Sequence, residues 1–181
     1  MATMPTLETS RLILRPFTPA DASDVQRLAG AKEVAATMLR LPHPYEDGMA
    51  EQWISTHQES FDRGQTVDLA ITLRDGGTLV GCVGLILNMQ HKRGELGYWV
   101  GVPYWGKGYC TEAVEAMVRY AFEVLCLNRV YAWHMVRNPA SGRVMQKVGM
   151  KPEGVQRQQI LKLGRFEDVA SYGLLRSEYR L

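Results

Sequence analysis

Cysteine is scarce in this chain of 181 residues. Cys82, Cys110 and Cys126 are odd in number, lie far apart and form no CxxC pair or Cys/His cluster, which argues against a structural zinc site. Each sits among apolar neighbours, so the expected state is a small buried hydrophobe in a reducing compartment. Apolar runs long enough to span a bilayer are missing. The opening Met1-Ala-Thr-Met-Pro-Thr-Leu-Glu lacks the basic and apolar regions of a secretory signal, and a cytoplasmic location is expected. Charge of one sign is missing too. With 21 Lys+Arg against 19 Asp+Glu, the net charge of +2 is too small to make nucleic acid or an anionic membrane the main partner. No repeat, low-complexity tract or Pro/Gly/Ser-rich linker divides the chain, so one domain over residues 1–181 is expected. An apolar share of 46% and a charged share of 22% argue against disorder, and the length suffices for a core without disulfide or metal staples.

What is present reads as strands and helices in turn. Residues 9–16 carry Leu12 and Leu14 on one face of a first strand. Thr18-Pro19-Ala-Asp21 looks like a helix start, with Thr18 as N-cap and Pro19 at the first helical position, and the helix runs to about Gly30. His43-Pro44-Tyr45 breaks the chain. A second helix is expected over 46–62, with Met49, Trp53 and Ile54 as its apolar stripe and Gly64 as a C-cap. Residues 66–73 and 78–87 are β-rich and joined by Arg74-Asp75-Gly76-Gly77, a hairpin turn. Another strand covers 93–101, a helix with clear period 111–125, a strand 129–136, and a helix 138–149. Two strands, about 153–162 and 166–176, close the chain. Strands in succession with helices between them predict an α+β fold, a mixed and mostly antiparallel sheet of about seven strands with helices on both faces.

The most informative stretch is Val102-Pro-Tyr-Trp105-Gly106-Lys107-Gly108-Tyr109-Cys110-Thr111-Glu112-Ala113, which joins a strand to a helix. Gly106 and Gly108 let a ligand approach the backbone. The helix start offers unpaired N–H groups and a positive dipole end to an anion. The segment is not a P-loop, because Gly108 stands where a Ser or Thr must meet magnesium. Nor is it a dinucleotide fingerprint, because Thr111 replaces the third glycine and no βαβ unit opens the chain. By itself the pair of glycines reads as an ordinary helix cap with a flexible turn.

The loop has company. Leu7-Glu-Thr-Ser-Arg11-Leu-Ile-Leu-Arg15-Pro, Glu95-Leu-Gly97-Tyr98-Trp99-Val100, Tyr104-Trp105-Gly106-Lys-Gly108-Tyr109-x-Thr-Glu112-Ala113 and Asn138-Pro-Ala-Ser141-x-Arg143-Val-x-x-Lys147-x-Gly149-Met-x-x-Glu153-Gly154 follow in order. Together they resemble the GNAT superfamily of N-acetyltransferases, and within it the RimJ/RimL-like branch of ribosomal-protein alanine acetyltransferases. The resemblance covers essentially the whole chain. It implies a GNAT fold with layers α/β/α and a wedge between strands 93–101 and 129–136 that receives the pantetheine arm of acetyl-CoA. It implies cofactor contacts from Val100, Val102, Gly106, Lys107, Gly108, Tyr109, Cys110, Thr111, Asn138, Ser141 and Arg143, and no metal. The partner it implies is an amine acceptor, a protein N-terminus or a small molecule, met by a monomer or homodimer.

In such a reaction an amine attacks a thioester carbonyl and a thiolate leaves. A free α-amine, with a pKa of about 7.7–8.0, needs modest help from a base, whereas a lysine amine at about 10.4 needs more. The resemblance makes Glu95 the candidate base, directly or through a water, although a polar residue pairing with Arg93 or Lys92 is the alternative. His134 is a second candidate that ranks below it, since a lone strand histidine is more often packed. The place of the superfamily's acid tyrosine falls at Met145. The ribosomal branch instead matches at Ser141, the candidate acid or thiol-positioning group, while that branch's late-hairpin glutamate falls at Ile160. Trp53, Tyr45 and Trp99 are candidates to line the acceptor pocket, and Arg137, Arg143 and Lys147 to reach the 3′-phosphate. The losses at 145 and 160 leave an alternative of another class, a non-catalytic acyl-CoA-binding or interaction module that kept the cradle.

Overall fold

The computed structural model describes residues 3–180. Met1 and Ala2, the first residues of the opening stretch expected to carry no secretory signal, and Leu181 lie outside the described residues. The strands are β1 (Leu7–Glu8), β2 (Leu12–Pro16), β3 (Thr66–Leu73), β4 (Leu79–Asn88), β5 (Arg93–Val100), β6 (Arg129–Met135), β7 (Lys151–Lys162) and β8 (Arg165–Leu175). They form one sheet in the order β1-β2-β3-β4-β5-β6-β8-β7. Every neighbouring pair is antiparallel except β5 with β6, which is parallel. The helices are α1 (Ala22–Ala29), α2 (Lys32–Ala35), α3 (Met49–Ser55), α4 (His57–Asp62), α5 (Tyr109–Glu123) and α6 (Pro139–Lys147).

Three elements depart from the sequence reading. The sheet has eight strands rather than about seven, because Leu7 and Glu8 pair with Leu14 and Ile13 as a two-residue outer strand, too short to show a period. The first helix opens as a 3₁₀ turn, Pro19–Asp21, before α1. The expected 46–62 helix starts only at Met49, after Gly48 in the left-handed region (φ 83°), and divides at Thr56. There the Thr56 N–H reaches back only three residues, to Trp53 O at 3.2 Å. The Thr56 hydroxyl donates to the same carbonyl at 2.8 Å, a local bond that competes with the helical ladder.

The strand period of two sends alternate residues to opposite faces. Leu12, Leu14, Val67, Leu69, Val83, Leu85, Leu96 and Val130 pack with Ala113, Val114, Met117, Val118 and Phe122 of α5 and with Met145 of α6. Ala70, Cys82 and Trp99 pack with Val25 and Leu28 of α1 and with Ala50 and Ile54 of α3. Each fully buried large side chain contributes about 1.5–3 kcal/mol, so both faces are firmly covered.

The Arg11-Leu-Ile-Leu-Arg15 stretch ties both covering layers to the sheet. Glu112, in the first turn of α5, accepts from the Thr9 hydroxyl (2.6 Å), the Arg11 N–H (2.9 Å) and Arg11 Nε (2.7 Å). Asp21, just ahead of α1, accepts from both terminal nitrogens of Arg15 at 2.8 Å and from the Thr18 N–H at 2.7 Å. Bidentate guanidinium–carboxylate geometry of this kind fixes direction as well as distance.

Candidate active site

β5 and β6 pair only at Arg93–Glu95 with Arg129–Tyr131. Beyond that point β5 stays with β4 and β6 stays with β8, so the two parallel strands splay. The Gly101 N–H donates to Val80 O on the β4 side at 2.9 Å. By alternation along the strand, Tyr98 and Val100, with the C=O of Leu96, turn their main-chain polar groups the other way, into the splay. This is an open sheet edge in the middle of a sheet, a place where an extended chain with amide groups can add hydrogen bonds.

The glycine loop closes one end of the splay. Gly106 and Gly108 have φ of 74° and 81°, and Gly108 caps α5. A Cβ on Gly106 would meet nothing within 4 Å, so the space over it is open. Within α5 the first ladder bond runs from the Glu112 N–H to Gly108 O at 3.1 Å, which leaves the N–H groups of Tyr109, Cys110 and Thr111 to an outside acceptor. The loop is held from behind. Arg11 Nη1 donates to Lys107 O at 3.0 Å, and its guanidinium lies 4.9 Å from the Tyr109 ring centre. Lys107 itself is exposed and rests 5.5 Å from the Tyr104 ring centre. Trp105 Nε1 donates to Val100 O at 2.6 Å, so one of the wedge-facing carbonyls is already engaged. Val102 is exposed in the short turn that leads to the loop. Burial pushes the Cys110 thiol up to about 12, which keeps it a packed neutral side chain. Backbone donors on a helix start, with room for a ligand and lysine nearby, fit a pyrophosphate.

α6 brings the second group. Asn138 stands at its N-cap without a side-chain capping bond, and Arg143 and Lys147 lie exposed along the helix. Ser141 Oγ lies 2.9 Å from the Tyr98 hydroxyl, which also donates to Ser141 O at 3.0 Å. Tyr98 therefore joins β5 to the first turn of α6, a contact the sequence reading missed. Burial raises the Tyr98 phenol well above its ordinary range. Met145 faces the core and is 1% exposed.

Glu95 sits at the apex of the splay, in the last residue pair before the strands part, and on the opposite face from Tyr98. Its carboxylate accepts from the Tyr131 hydroxyl at 3.2 Å and from Trp133 Nε1 at 3.1 Å. Burial, then the charge of Glu95 and the hydrogen bond to it, raises the Tyr131 phenol, so Tyr131 remains a donor. Glu95 and Ser141 thus stand on opposite faces beside the splay. The alternative pairing of Glu95 with Arg93 or Lys92 is not among the ion pairs of the described residues.

The remaining candidates are packed or already engaged. His134 is buried under α6, where a Cβ on Gly142 would come within 2.6 Å of its Nε2. Its Nδ1 lies 2.8 Å from Met135 O; a carbonyl there requires Nδ1 to carry the proton. It is a packed residue and does not face the splay. Arg137 is engaged by the buried carboxylate of Glu167 at 2.8 Å, so it is not free for a phosphate. Glu167 pairs across the hairpin with Ile160. Nearby, Lys162 donates to Leu41 O at 2.8 Å, tying the late hairpin to the segment after α2. Trp53 packs edge-on against Phe17 and His57, with ring centres 5.1 and 4.4 Å away. Trp99 is 6% exposed, and Tyr45 packs against the same cluster. The described residues contain no cluster of three or more metal-ligating side chains and no helix long and apolar enough to cross a membrane.

The acetyltransferase (GNAT) domain family matches residues 11–151. An uncharacterised N-acetyltransferase of Bacillus subtilis, YoaA, is 31% identical over 173 residues, covering 95% of this chain and 97% of that protein. A spermidine N(1)-acetyltransferase of Vibrio cholerae is 24% identical, covering 94% of this chain and 96% of that protein. A crystal structure described as a probable acetyltransferase superimposes with a TM-score of 0.86 at 28% identity, covering 97% of this chain and 99% of that one. The splayed sheet, the helix-start cradle and the matched span agree: the chain belongs to the GNAT family of acetyltransferases and is an acyltransferase.

Proposed function

We propose that this protein is a single-domain, cytoplasmic enzyme that moves the acetyl group of acetyl-CoA to a primary amine by direct attack in a ternary complex. The observation that carries this reading is the parting of β5 from β6 immediately after Glu95 and Tyr131. Acetyl-CoA supplies an activated acetyl thioester. The N–H groups of Tyr109, Cys110 and Thr111, the open space over Gly106 and the charge of Lys107 suit its pyrophosphate. The wedge-facing C=O of Leu96 and main-chain groups of Tyr98, with the uncommitted Asn138 carboxamide, suit its amide-bearing arm. Val100, Val102 and Gly108 shape the path between them, and Arg143 is the exposed basic group that α6 offers to the remaining phosphate.

The amine arrives from the Glu95 face, since α5 and α6 cover the other. Glu95 takes the amine proton, directly or through a water, while Tyr131 and Trp133 hold its carboxylate in place. An amine near pKa 8 is partly neutral at pH 7, so orientation supplies much of the rate and the base the remainder. On the opposite face the Ser141 hydroxyl, held 2.9 Å from the Tyr98 hydroxyl, is the group assigned to position the departing thiol. The likeness to ribosomal-protein acetyltransferases supports a protein N-terminus as acceptor, and the spermidine-acetylating relative supports a small amine.

The test is release of free coenzyme A thiol from acetyl-CoA with a panel of Ala- and Ser-starting peptides and small amines. Release only in the presence of an amine is the expected result. Tight acetyl-CoA binding with no transfer to any amine would leave the binding-module alternative standing. Glu95→Gln is expected to lower kcat about 100-fold, within the usual range for losing a general base. Unchanged turnover across pH removes Glu95 from the mechanism.

A further inference from the structure

Sheet register lays three residues in a row across the face that carries Glu95. Asp68 of β3 pairs with Gly84 of β4, and Gly84 pairs with Gly97 of β5. Neither glycine has a side chain to raise a ridge, so the row is a lane between Cys82–Trp99 on one side and Ile86–Glu95 on the other. Over Gly97 the lane is open, since a Cβ there would meet nothing within 4 Å. Over Gly84 it is filled by a carboxylate: a Cβ there would stand 2.3 Å from Asp68 Oδ1. The Asp68 side chain therefore reaches across β4 toward the splay. One strand spacing, about 5 Å, separates it from the backbone under Gly97.

Behind the carboxylate stands His57 of α4. It is 6% exposed, and neither ring nitrogen has a hydrogen-bond partner. Burial lowers the His57 pKa, against a raising effect of the nearby Asp68, so it does not supply a fixed cation. The other groups facing Asp68 are the Thr66 hydroxyl, which donates to it, the guanidinium of Arg40 and the buried Cys82 thiol. Asp68 makes no ion pair among the described residues. Burial raises its pKa, against the lowering effects of His57, Thr66 and Arg40. A carboxylate held by one hydroxyl donor and no paired cation, next to an orphaned imidazole, is expensive to bury.

We propose that Asp68 selects the acceptor: it receives a second cationic group of the incoming amine, so the preferred acceptor is a small diamine or polyamine. With one nitrogen at the splay beside Glu95 and another at Asp68, the two are separated by about 5–10 Å, one to two strand spacings. A short alkyl chain spans that distance along the glycine floor. The assignment rests on the acetyl-transfer reading above and adds to it the acceptor's second charge. Binding of the second cation favours ionised Asp68. The affinity for a diamine therefore weakens as pH falls through the raised Asp68 pKa.

The test compares putrescine, butylamine and an Ala-starting peptide as acceptors, with the parent protein, Asp68→Asn and Asp68→Glu. In the parent, kcat/KM for putrescine is expected to exceed that for butylamine by at least about 10-fold, the usual scale of one charge-assisted hydrogen bond. Asp68→Asn brings the ratio close to 1, and Asp68→Glu, which keeps the charge, restores most of it. Calorimetry of putrescine against the coenzyme A-bound protein reads the same contact without turnover. Putrescine binding that Asp68→Asn abolishes, with no amine acetylated, overturns the transfer reading and upholds the Asp68 contact. Equal ratios in parent and Asp68→Asn, or no putrescine binding to the parent, overturn the Asp68 assignment.

Discussion

The two faces of the splay are made by different means. On the α5/α6 face the candidate cradle is main-chain atoms at a helix start, with glycines at positive φ, and its donors and glycines lie within a dozen residues of sequence, braced from behind by Arg11. On the α1/α3 face the groups are side chains brought into rows by strand register, and Asp68, Gly84 and Gly97 come from three different strands. A cofactor that never changes can be held by backbone, which has little freedom to vary. An acceptor that differs among relatives is met by side chains, which can be exchanged without disturbing the ladder.

That contrast can be broken most directly at Gly97. Its backbone is not in the left-handed region, and the space above it is open. A valine there suits a strand and fills the lane beside Glu95. Gly97→Val is expected to lower kcat/KM for every amine about 100-fold, because loss of productive positioning costs on that scale. Coenzyme A affinity and melting temperature are expected to stay near the parent values. Steady-state kinetics with calorimetry decides it; a parallel loss of coenzyme A binding would show that the two faces are not separate.

The opposite behaviour is expected at Gly108. Its φ of 81° places any other residue in the left-handed region, at about 1–2 kcal/mol. A Cβ there would also stand 3.3 Å from Arg11 Nη2, so the arginine that braces the loop must give way. Gly108→Val is expected to weaken coenzyme A binding about 10-fold and to lower the melting temperature with it, since a helix start serves fold and ligand at once. A variant that keeps its melting temperature but loses the cofactor would separate these two roles.

The same difference governs what could be read before the fold was known. The hairpin at Arg74–Gly77, the α5 period and the glycine loop rest on local spacing, and the structure has them within a few residues of the expected bounds. The resemblance also led to the parting of strands 93–101 and 129–136. Local spacing failed at Thr56, where a hydroxyl competes for a helical carbonyl, and at Leu7–Glu8, too short to carry a period. The acceptor lane left no trace in the sequence, because Asp68, Gly84 and Gly97 become neighbours only through the registers of two strand pairs. Nor could spacing show that Arg137 is committed to Glu167, thirty positions away. His134 ranks second as a base because a lone strand histidine is more often packed, and the approach of α6 at Gly142 shows what packs it.

The smallest effect on the site is expected at Asp21, which secures the helix layer of the acceptor face without touching the lane. Burial alone would raise its carboxyl, but the hydrogen bonds from Arg15 and from the Thr18 N–H and hydroxyl outweigh that and hold it below the ordinary range. A depressed carboxylate pKa contributes stability above the unfolded value, near 3.9, and loses it as pH falls through the folded value. Asp21→Asn removes the charge while keeping the shape. With Asp21 9% and Arg15 30% exposed at the side chain, the loss at pH 7 is expected to be about 1–2 kcal/mol, moderated by partial solvent screening of Arg15. The variant's stability should also change less than the parent's between pH 5 and pH 3, which urea unfolding at several pH values measures. Acetyl transfer at pH 7 is expected to stay within about 2-fold of the parent, since α1 is held as well by Val25, Leu28 and Ala29, all 2% exposed or less. A larger loss of transfer would mean that the layer over the acceptor face must be clamped by charge for the lane to keep its shape, and that the two faces are coupled through Arg11, just ahead of β2, and Arg15 within it.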